Sequence, residues 1–309
     1  MAFWGQRESW VVTRETRTHD VSRGWHSGPV LTIATVNVNG IRAAIRRGMS
    51  EWFTTAAPDV LLLQELRAPN ALVEKELRTF LDPQWTITSV ESLVKGRSGV
   101  AVASRLPVLA VREALPGLGS AAEPVEEPEG DSGRWVEVDL ELPDARVLTV
   151  VSTYLYSGTV GTPSMEAKYA HLDRVTARLT ELGTQGRLAV VSGDINIAHT
   201  ELDIKNWKGN LKAAGFLPQE RAYLDRWYGE LGWVDIARAA QPGVAGPYTW
   251  WSWRGQAFDN DSGWRIDAQI ATPALAELAD QVRVDRAATY AERFSDHAPL
   301  VASYNLPTA

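Results

Sequence analysis

The strongest constraint on the fold is a series of short apolar runs rich in β-branched residues: Leu31–Val38, Val60–Leu63, Gly99–Ala103, Arg134–Leu140, Val147–Tyr154, Leu188–Ser192, Ile266–Ala271 and Leu300–Tyr304. Runs of that length are strand-sized, too short for buried helices. Helical patterns interrupt them, most clearly Ser164 to Leu182, where Met165, Tyr169, Leu172, Val175, Ala177 and Leu179 recur at helical spacing before Gly183. Strands and helices intermingle without strict βαβ alternation and without a nucleotide-type glycine fingerprint. The pattern therefore predicts an α/β (α+β) chain built as a mixed-sheet sandwich with outer helices, in preference to a doubly wound parallel sheet.

The 309 residues show no composition break, so one domain from 30 to 309 is expected after a flexible tail over 1–29. The stretch Gly117 to Gly133 carries Glu123, Glu126, Glu127, Glu129 and Asp131 with two prolines, and reads as a mobile surface loop. No run approaches the roughly 18 apolar residues of a membrane span, and no apolar segment follows a basic N-terminus. A cytoplasmic protein without a secretion signal or a membrane partner is expected. The chain has no cysteine, which excludes disulfides, thiolate catalysis and thiolate metal ligation. Any metal must sit on oxygen or histidine. A net charge of -7 argues against coating nucleic acid by bulk electrostatics but permits a local basic patch.

Five polar groups stand at the ends of apolar runs, and each has an ordinary reading beside a chemical one. "TVNVNG" places Asn37 and Asn39 where a strand enters an Asn-Gly turn. "DVLLLQEL" delivers Glu65, either a helix N-terminal charge or a hard-metal ligand. "VVSGDINIAH" alternates Asp194 and Asn196 with Ile195 and Ile197, so that two polar groups face one way and two apolar groups the other; an Asx-type turn is the alternative. "GWRIDAQI" puts Asp267 on a strand face shared with Arg265 and Gln269, where a structural Arg–Asp pair is the simple explanation. "FSDHAPL" places Asp296 and His297 side by side in a turn. In sheet sandwiches strand ends and loops gather on one edge, so all five are expected to share one site.

Taken in order, Asn37, Glu65, Tyr154 in "STYLYSG", Asp194 with Asn196, Asp267 and the pair in "SDHAPL" resemble the exonuclease III family, the apurinic/apyrimidinic (AP) endonuclease branch of the endonuclease/exonuclease/phosphatase superfamily. The likeness runs from about Leu31 to the C-terminus. It implies a four-layered DNase I-like sandwich: two mixed β-sheets face to face, with helices outside. "IKNWKGNLKAAGFLPQER" resembles the family's phosphate-contacting loop and helix, and "YTWWSWRGQAFDNDSGWRID" its abasic-site wall. Two departures stand out: Tyr156 and Ser157 replace the family's usual proline and amide, and Asn39 stands where some animal relatives carry an acid.

The resemblance implies a Mg²⁺-dependent (Mn²⁺ as substitute) phosphodiesterase that incises duplex DNA 5′ to abasic sites, with 3′-to-5′ exonuclease and 3′-end-trimming work on blocked ends. It implies a monomer. Glu65 is the principal metal ligand, with Asn37 and Asp296 beside it, since hard cations take carboxylate and amide oxygens. Asp194 accepts the proton of the attacking water, Asn196 orients water or phosphate, Asp267 holds His297 as an imidazolium, and Tyr154 contacts phosphate or protonates the leaving group. A neutral His297 acting as the base is the rival. DNA contacts are expected from Arg67, Asn206, Lys208, Asn210 and Arg254, with Trp250, Trp264 and Ile266 forming a pocket for an extruded sugar. Alternatives are a superfamily member acting on a phospholipid or inositol phosphate, or a catalytically silent nucleic-acid-binding regulator.

Overall fold

Twelve strands carry the fold in the computed structural model, which describes residues 28–115, 128–184 and 186–307. In chain order they are β1 (Val30–Asn37), β2 (Val60–Gln64), β3 (Thr86–Val90), β4 (Val100–Ser104), β5 (Val108–Arg112), β6 (Trp135–Glu141), β7 (Val147–Tyr154), β8 (Leu188–Asp194), β9 (Val234–Asp235), β10 (Asp267–Ala271), β11 (Ala279–Val284) and β12 (Leu300–Asn305). They form two six-stranded sheets, ordered β11-β12-β1-β2-β4-β3 and β5-β6-β7-β8-β10-β9. In each sheet one adjacent pair, β1/β2 and β7/β8, is parallel and the others are antiparallel.

Side chains alternate faces along a strand, so each central strand serves two cores. Ile33, Leu62, Val102, Val138, Val150, Val190 and Ala302 meet between the sheets. Their neighbours Ala34, Val36, Leu61, Leu63, Ala101 and Val301 pack outward beneath helices, against Ile41, Met49, Val73 and Leu77. On the far side Val151, Ala189, Val191 and Ile270 pack against Leu172, Val175, Leu179 and Leu182 of the helix Pro163–Leu182. Helix, sheet, sheet, helix is the expected four-layered sandwich. No helix among the described residues is long and apolar enough to cross a membrane.

Strands β3, β5, β9 and β11 go beyond the runs legible in the sequence. β3 and β11 are edge strands with mixed polar composition, β9 has two residues, and edge strand β5 leaves Leu109 and Val111 exposed. Residues 1–27, most of the expected tail, and 116–127, which take in 117–127 of the acidic loop, lie outside the described residues. Where that loop re-enters, the expected mobile surface is not what is seen: Asp131 and Ser132 are buried, and Asp131 pairs with Arg174 and accepts a hydrogen bond from the Tyr156 hydroxyl at 2.7 Å.

One buried ion network fixes the approach to β10. Asp203 is fully buried, bonded to Arg265 at 2.6 Å and to Arg238, while Arg265 also reaches Asp235 at 2.7 Å. The expected pairing of Arg265 with Asp267 is therefore replaced: Arg265 lies just before the strand and points to other acids. Burial alone would raise the Asp203 pKa, but Arg265 and Arg238 outweigh it and hold the carboxyl down at about 2. Its stabilising contribution is complete above the unfolded carboxylate pKa and is lost as pH falls through about 2. Removing one partner of a buried pair costs about 3 kcal/mol or more. Asp203→Asn should lower stability by that order in urea melts at pH 7, with the gap to the parent shrinking as pH drops below about 4.

Candidate active site

Between the sheets the inward-facing rows change from apolar to polar toward one edge. Along β1 the order is Ile33, Thr35, Asn37; along β2 Leu62, Gln64; along β7 Val150, Ser152, Tyr154; along β8 Val190, Ser192, Asp194. Strand β10 runs the other way, from Asp267 through Gln269 to Ala271. The polar groups satisfy each other: Gln64 donates to Thr35 Oγ1 at 3.1 Å and to Ser152 Oγ at 2.9 Å, and Tyr304 donates to Gln269 Oε1 at 2.9 Å. Register then sets Tyr154 beside Asp194 and Asp194 beside Asp267 across three neighbouring strands.

Asp194 sits at the centre. Its Oδ2 accepts the Asn37 side-chain N–H at 2.9 Å from the opposite sheet, and its Oδ1 accepts the Asn196 backbone N–H at 3.0 Å. The residue before it must be glycine: Gly193 has φ +143°, and a Cβ would lie 2.0 Å from the Thr153 carbonyl oxygen. His297 donates from Nδ1 to Asp267 Oδ2 at 2.8 Å, and its Nε2 lies 3.7 Å from Asp194 Oδ2. Ser295 Oγ donates to the Asn37 carbonyl at 2.6 Å, tying this turn to the end of β1.

Burial raises the Asp194 pKa and the Asp267 and Glu65 charges add to that, while His297 and Asn37 oppose it. For His297 burial works downward, yet Asp267 and then Asp194 outweigh it and raise the pKa, which favours an imidazolium. Tyr154 is pushed far above the ordinary phenol range by burial and by Glu65 and Asp194, so it stays a proton donor.

Several sequence expectations change here. Asn196 does not continue the strand face of Asp194: β8 ends at Asp194, and Asn196 turns back with φ +54°. Its side-chain N–H donates to the Leu155 carbonyl at 2.8 Å, while Ile195 and Ile197 are buried as the alternation implied. Asn37 is turned away from metal ligation: its Oδ1 accepts the Asn39 backbone N–H at 3.0 Å, so its Nδ2 faces Glu65 at 3.1 Å and Asp194. An amide N–H cannot ligate a cation, so in this orientation Asn37 presents donors to the two acids and no oxygen ligand beside them. Glu65, with φ +51°, precedes the helix Asn70–Leu77 without belonging to its first turn, so the helix-charge reading fails.

A pocket of about 340 Å³ collects Asn39, Glu65, Arg67, Tyr154, Asp194, Asn196, Asp296 and His297 on its polar side and Trp250, Trp264 and Ile266 on its apolar side. Arg67 pairs with Glu65, Asp296 accepts Asn39 Nδ2 at 2.8 Å and Trp250 Nε1 at 3.1 Å, and short β-bridges join Trp250 to both Trp264 and His297. The remaining DNA-side residues lie outside the pocket lining. Asn206, Lys208 and Arg254 are exposed, Asn210 donates to the Asn206 carbonyl at 2.8 Å, and Lys208 lies over Trp207. That segment adjoins the pocket through the Ile204–Trp264 bridge.

Lys168 was not singled out from the sequence. It is fully buried, pairs with Glu220 at 2.5 Å, and donates to the carbonyls of Asn196 at 3.0 Å and Ser157 at 3.2 Å, fastening two loops and the helix Pro218–Asp225 behind the pocket. A lysine on the apolar stripe of Met165, Leu172, Val175 and Leu179 was the available signal.

Three carboxylates, Glu65, Asp194 and Asp296, line one pocket with Arg67 and His297 as the cations. That donor set fits a hard divalent ion. Atoms of Asp194, Asp267 and His297 also lie within 4.8 Å of one another, but Asp267 and His297 are already bonded together.

The model of the Endonuclease/Exonuclease/phosphatase family matches residues 34–297, which spans all of these groups. The chain belongs to this family. An exodeoxyribonuclease of Bacillus subtilis (strain 168) is 31% identical over 271 residues, covering 87% of this chain and 98% of that protein. A DNA-(apurinic or apyrimidinic site) endonuclease of Dictyostelium discoideum is 28% identical over 87% of this chain and 69% of its own length. Among solved structures, an AP endonuclease from Archaeoglobus fulgidus superposes with a TM-score of 0.75 at 28% identity, covering 89% of this chain and all of that one. A Neisseria 3′ phosphatase bound to product DNA hairpin superposes at 0.72 with 26% identity, covering 89% and 99%. These relatives put the chain on the exonuclease III branch that its motifs resemble, and it is a hydrolase of a divalent-metal-dependent family.

The Asp267–His297 pair gives this site a testable titration. Removing the Asp267 charge should let burial dominate and lower the His297 pKa. In metal-free protein, NMR titration of the His297 ring should show its midpoint fall by one pH unit or more in Asp267→Asn, the size expected for losing an adjacent carboxylate.

Proposed function

We propose that residues 30–309 act as one catalytic domain that hydrolyses the phosphodiester bond 5′ to an abasic site in duplex DNA. The 3′-to-5′ removal of nucleotides or blocking groups is the same chemistry at a strand end. The observation that carries the reading is the juxtaposition, in one pocket, of Asp194 and His297 with an apolar wall of Trp250, Trp264 and Ile266. Trp250 spends its indole N–H on Asp296, so this wall suits a base-free deoxyribose turned out of the helix. The relatives' names support DNA as the substrate, and the endonuclease's name supports the abasic site.

Mg²⁺, with Mn²⁺ as substitute, would be held by Glu65 with Asp296, and when bound it would polarise the phosphoryl group and relieve charge on the leaving oxygen. Asp194 takes a proton from the attacking water, its basicity raised by burial. Asn196, its side-chain N–H fixed on Leu155, turns its Oδ1 toward that water. His297 keeps its Nδ1 proton on Asp267 and offers Nε2–H to a non-bridging phosphate oxygen as negative charge grows there. The bond from water oxygen to phosphorus forms as the bond from phosphorus to the upstream O3′ breaks, and Tyr154 supplies a proton or hydrogen bond to the departing oxygen.

An abasic-analogue duplex, a 3′-recessed duplex, an inositol phosphate and a phospholipid headgroup should be tested side by side. EDTA-sensitive incision 5′ to the lesion is expected, falling by about three orders of magnitude or more in Asp194→Asn or His297→Ala. Full activity in EDTA, or turnover of the small phosphates alone, would contradict the reading. A Mn²⁺ titration followed by electron paramagnetic resonance should show binding weakened in Glu65→Gln, and by about 10- to 100-fold in Asn37→Ala through loss of its orienting N–H.

A further inference from the structure

A second depression of about 500 Å³ adjoins the catalytic pocket, sharing Glu65, Arg67, Tyr154, Ser157 and Gly158 with it and continuing past Arg97, Arg134 and Tyr156. Arg134 is its fixed cation. The guanidinium lies over the Tyr156 ring, 3.7 Å from the centroid, with the Tyr154 ring at 5.0 Å. Nε donates to the Gly130 carbonyl at 2.7 Å and Nη1 to the Tyr154 carbonyl at 3.3 Å. Two of five N–H donors are used, both on neutral oxygens.

Of the other arginines that line the groove, Arg67 pairs with Glu65 and Arg97 is exposed with no ion pair among the described residues, while Arg174, behind the clamp, is neutralised by Asp131. Arg134 makes no ion pair among the described residues, so its charge is directed at the groove. The clamp that holds it is rigid. The Tyr156 hydroxyl donates to buried Asp131 at 2.7 Å, and Gly130 approaches so closely that a Cβ there would lie 2.6 Å from that hydroxyl. A guanidinium immobilised between tyrosines before any ligand arrives loses little entropy on binding an anion, and its free N–H edge matches a phosphate.

We propose that this groove takes a backbone phosphate flanking the scissile one, with Arg134 as the contact and Tyr156 as the positioning residue that holds it there. The inference rests on the reading that the adjoining pocket cleaves DNA. It also gives a part to the departure at residue 156: the tyrosine in place of the usual proline builds the clamp.

The full chain should be tested on an abasic-analogue duplex, with incision by the parent in Mg²⁺ establishing the underlying activity first. No incision by the parent would overturn the proposed function itself. Binding is then measured in EDTA across a salt series for the parent, Arg134→Gln, Tyr156→Phe and Tyr156→Leu. Arg134→Gln should weaken binding about tenfold, as loss of a charge-assisted contact does, and reduce the slope of log K against log salt by about 0.9, the share of one phosphate. Tyr156→Leu should move affinity and slope the same way, and Tyr156→Phe, which keeps the ring, should recover most of the loss. Neutral methylphosphonates placed singly around the lesion should include one that weakens the parent and leaves Arg134→Gln unaffected. An Arg134→Gln protein with the parent's melting temperature, affinity and slope, beside a parent that cuts, would overturn the proposal; because Arg134 is a partly exposed side chain, this variant carries the test even if Tyr156→Leu fails to fold.

Discussion

Polar side chains shut between two β-sheets cannot be wetted, so each must find its partner across the sandwich or along its own sheet. That demand organises the molecule. Gln64, held by Thr35 and Ser152, joins a strand of one sheet to a strand of the other, and Gln269 with Tyr304 does the same farther along. Once those pairs set the relative height of the sheets, Asn37 from one meets Asp194 from the other at 2.9 Å. Asp194 is the last rung of a hydrogen-bonded ladder that starts in the core.

Backbone strain gathers at the same edge. Asn39, Glu65, Arg67 and Asn196 all occupy the left-handed region at positive φ, which costs L-residues energy and persists only where surroundings enforce it. Here the enforcement is visible: Asn39 is held by Asn37 and Asp296, Glu65 by Asn37, and Asn196 by Leu155 and by the buried ammonium of Lys168. Electrostatic strain lies there too. Burial raises the Asp194 pKa, the charges of Asp267 and Glu65 raise it further, and His297 carries the compensating charge. A site under such repulsion gains from binding a divalent cation, an effect built into the protein before the cation arrives.

How legible all this was depends on the scale of the contact. The strands that build both cores could be read from period-2 alternation, because their composition and their burial are the same fact. Asp267 and His297 stood out as polar groups at strand ends, yet their bond to each other links β10 to a turn 30 residues later, which alternation does not encode. The same alternation misplaced Asn196, since it assumes extended backbone and the chain leaves the strand at Asp194. Arg134 passed unnoticed for a related reason: its meaning lies in Gly130, Tyr154 and Tyr156, brought together by strand pairing and by the loop before β6. Lys168 is the opposite case, a charge in an apolar helical stripe that local pattern alone marked as unusual.

The central claim is that strand register sets Asp194 and the turns beyond the strand ends bring Asn196 and His297 to the same phosphate, while the Trp250–Trp264–Ile266 wall receives the sugar. A crystal structure of Asp194→Asn bound to an uncut abasic-analogue duplex with Mg²⁺ tests it most directly. The account predicts the scissile phosphate between Asn196 and His297, the base-free sugar against the two indoles, and the metal on Glu65. A phosphate seated away from His297, or a lesion left stacked in the helix with the wall empty, would contradict it.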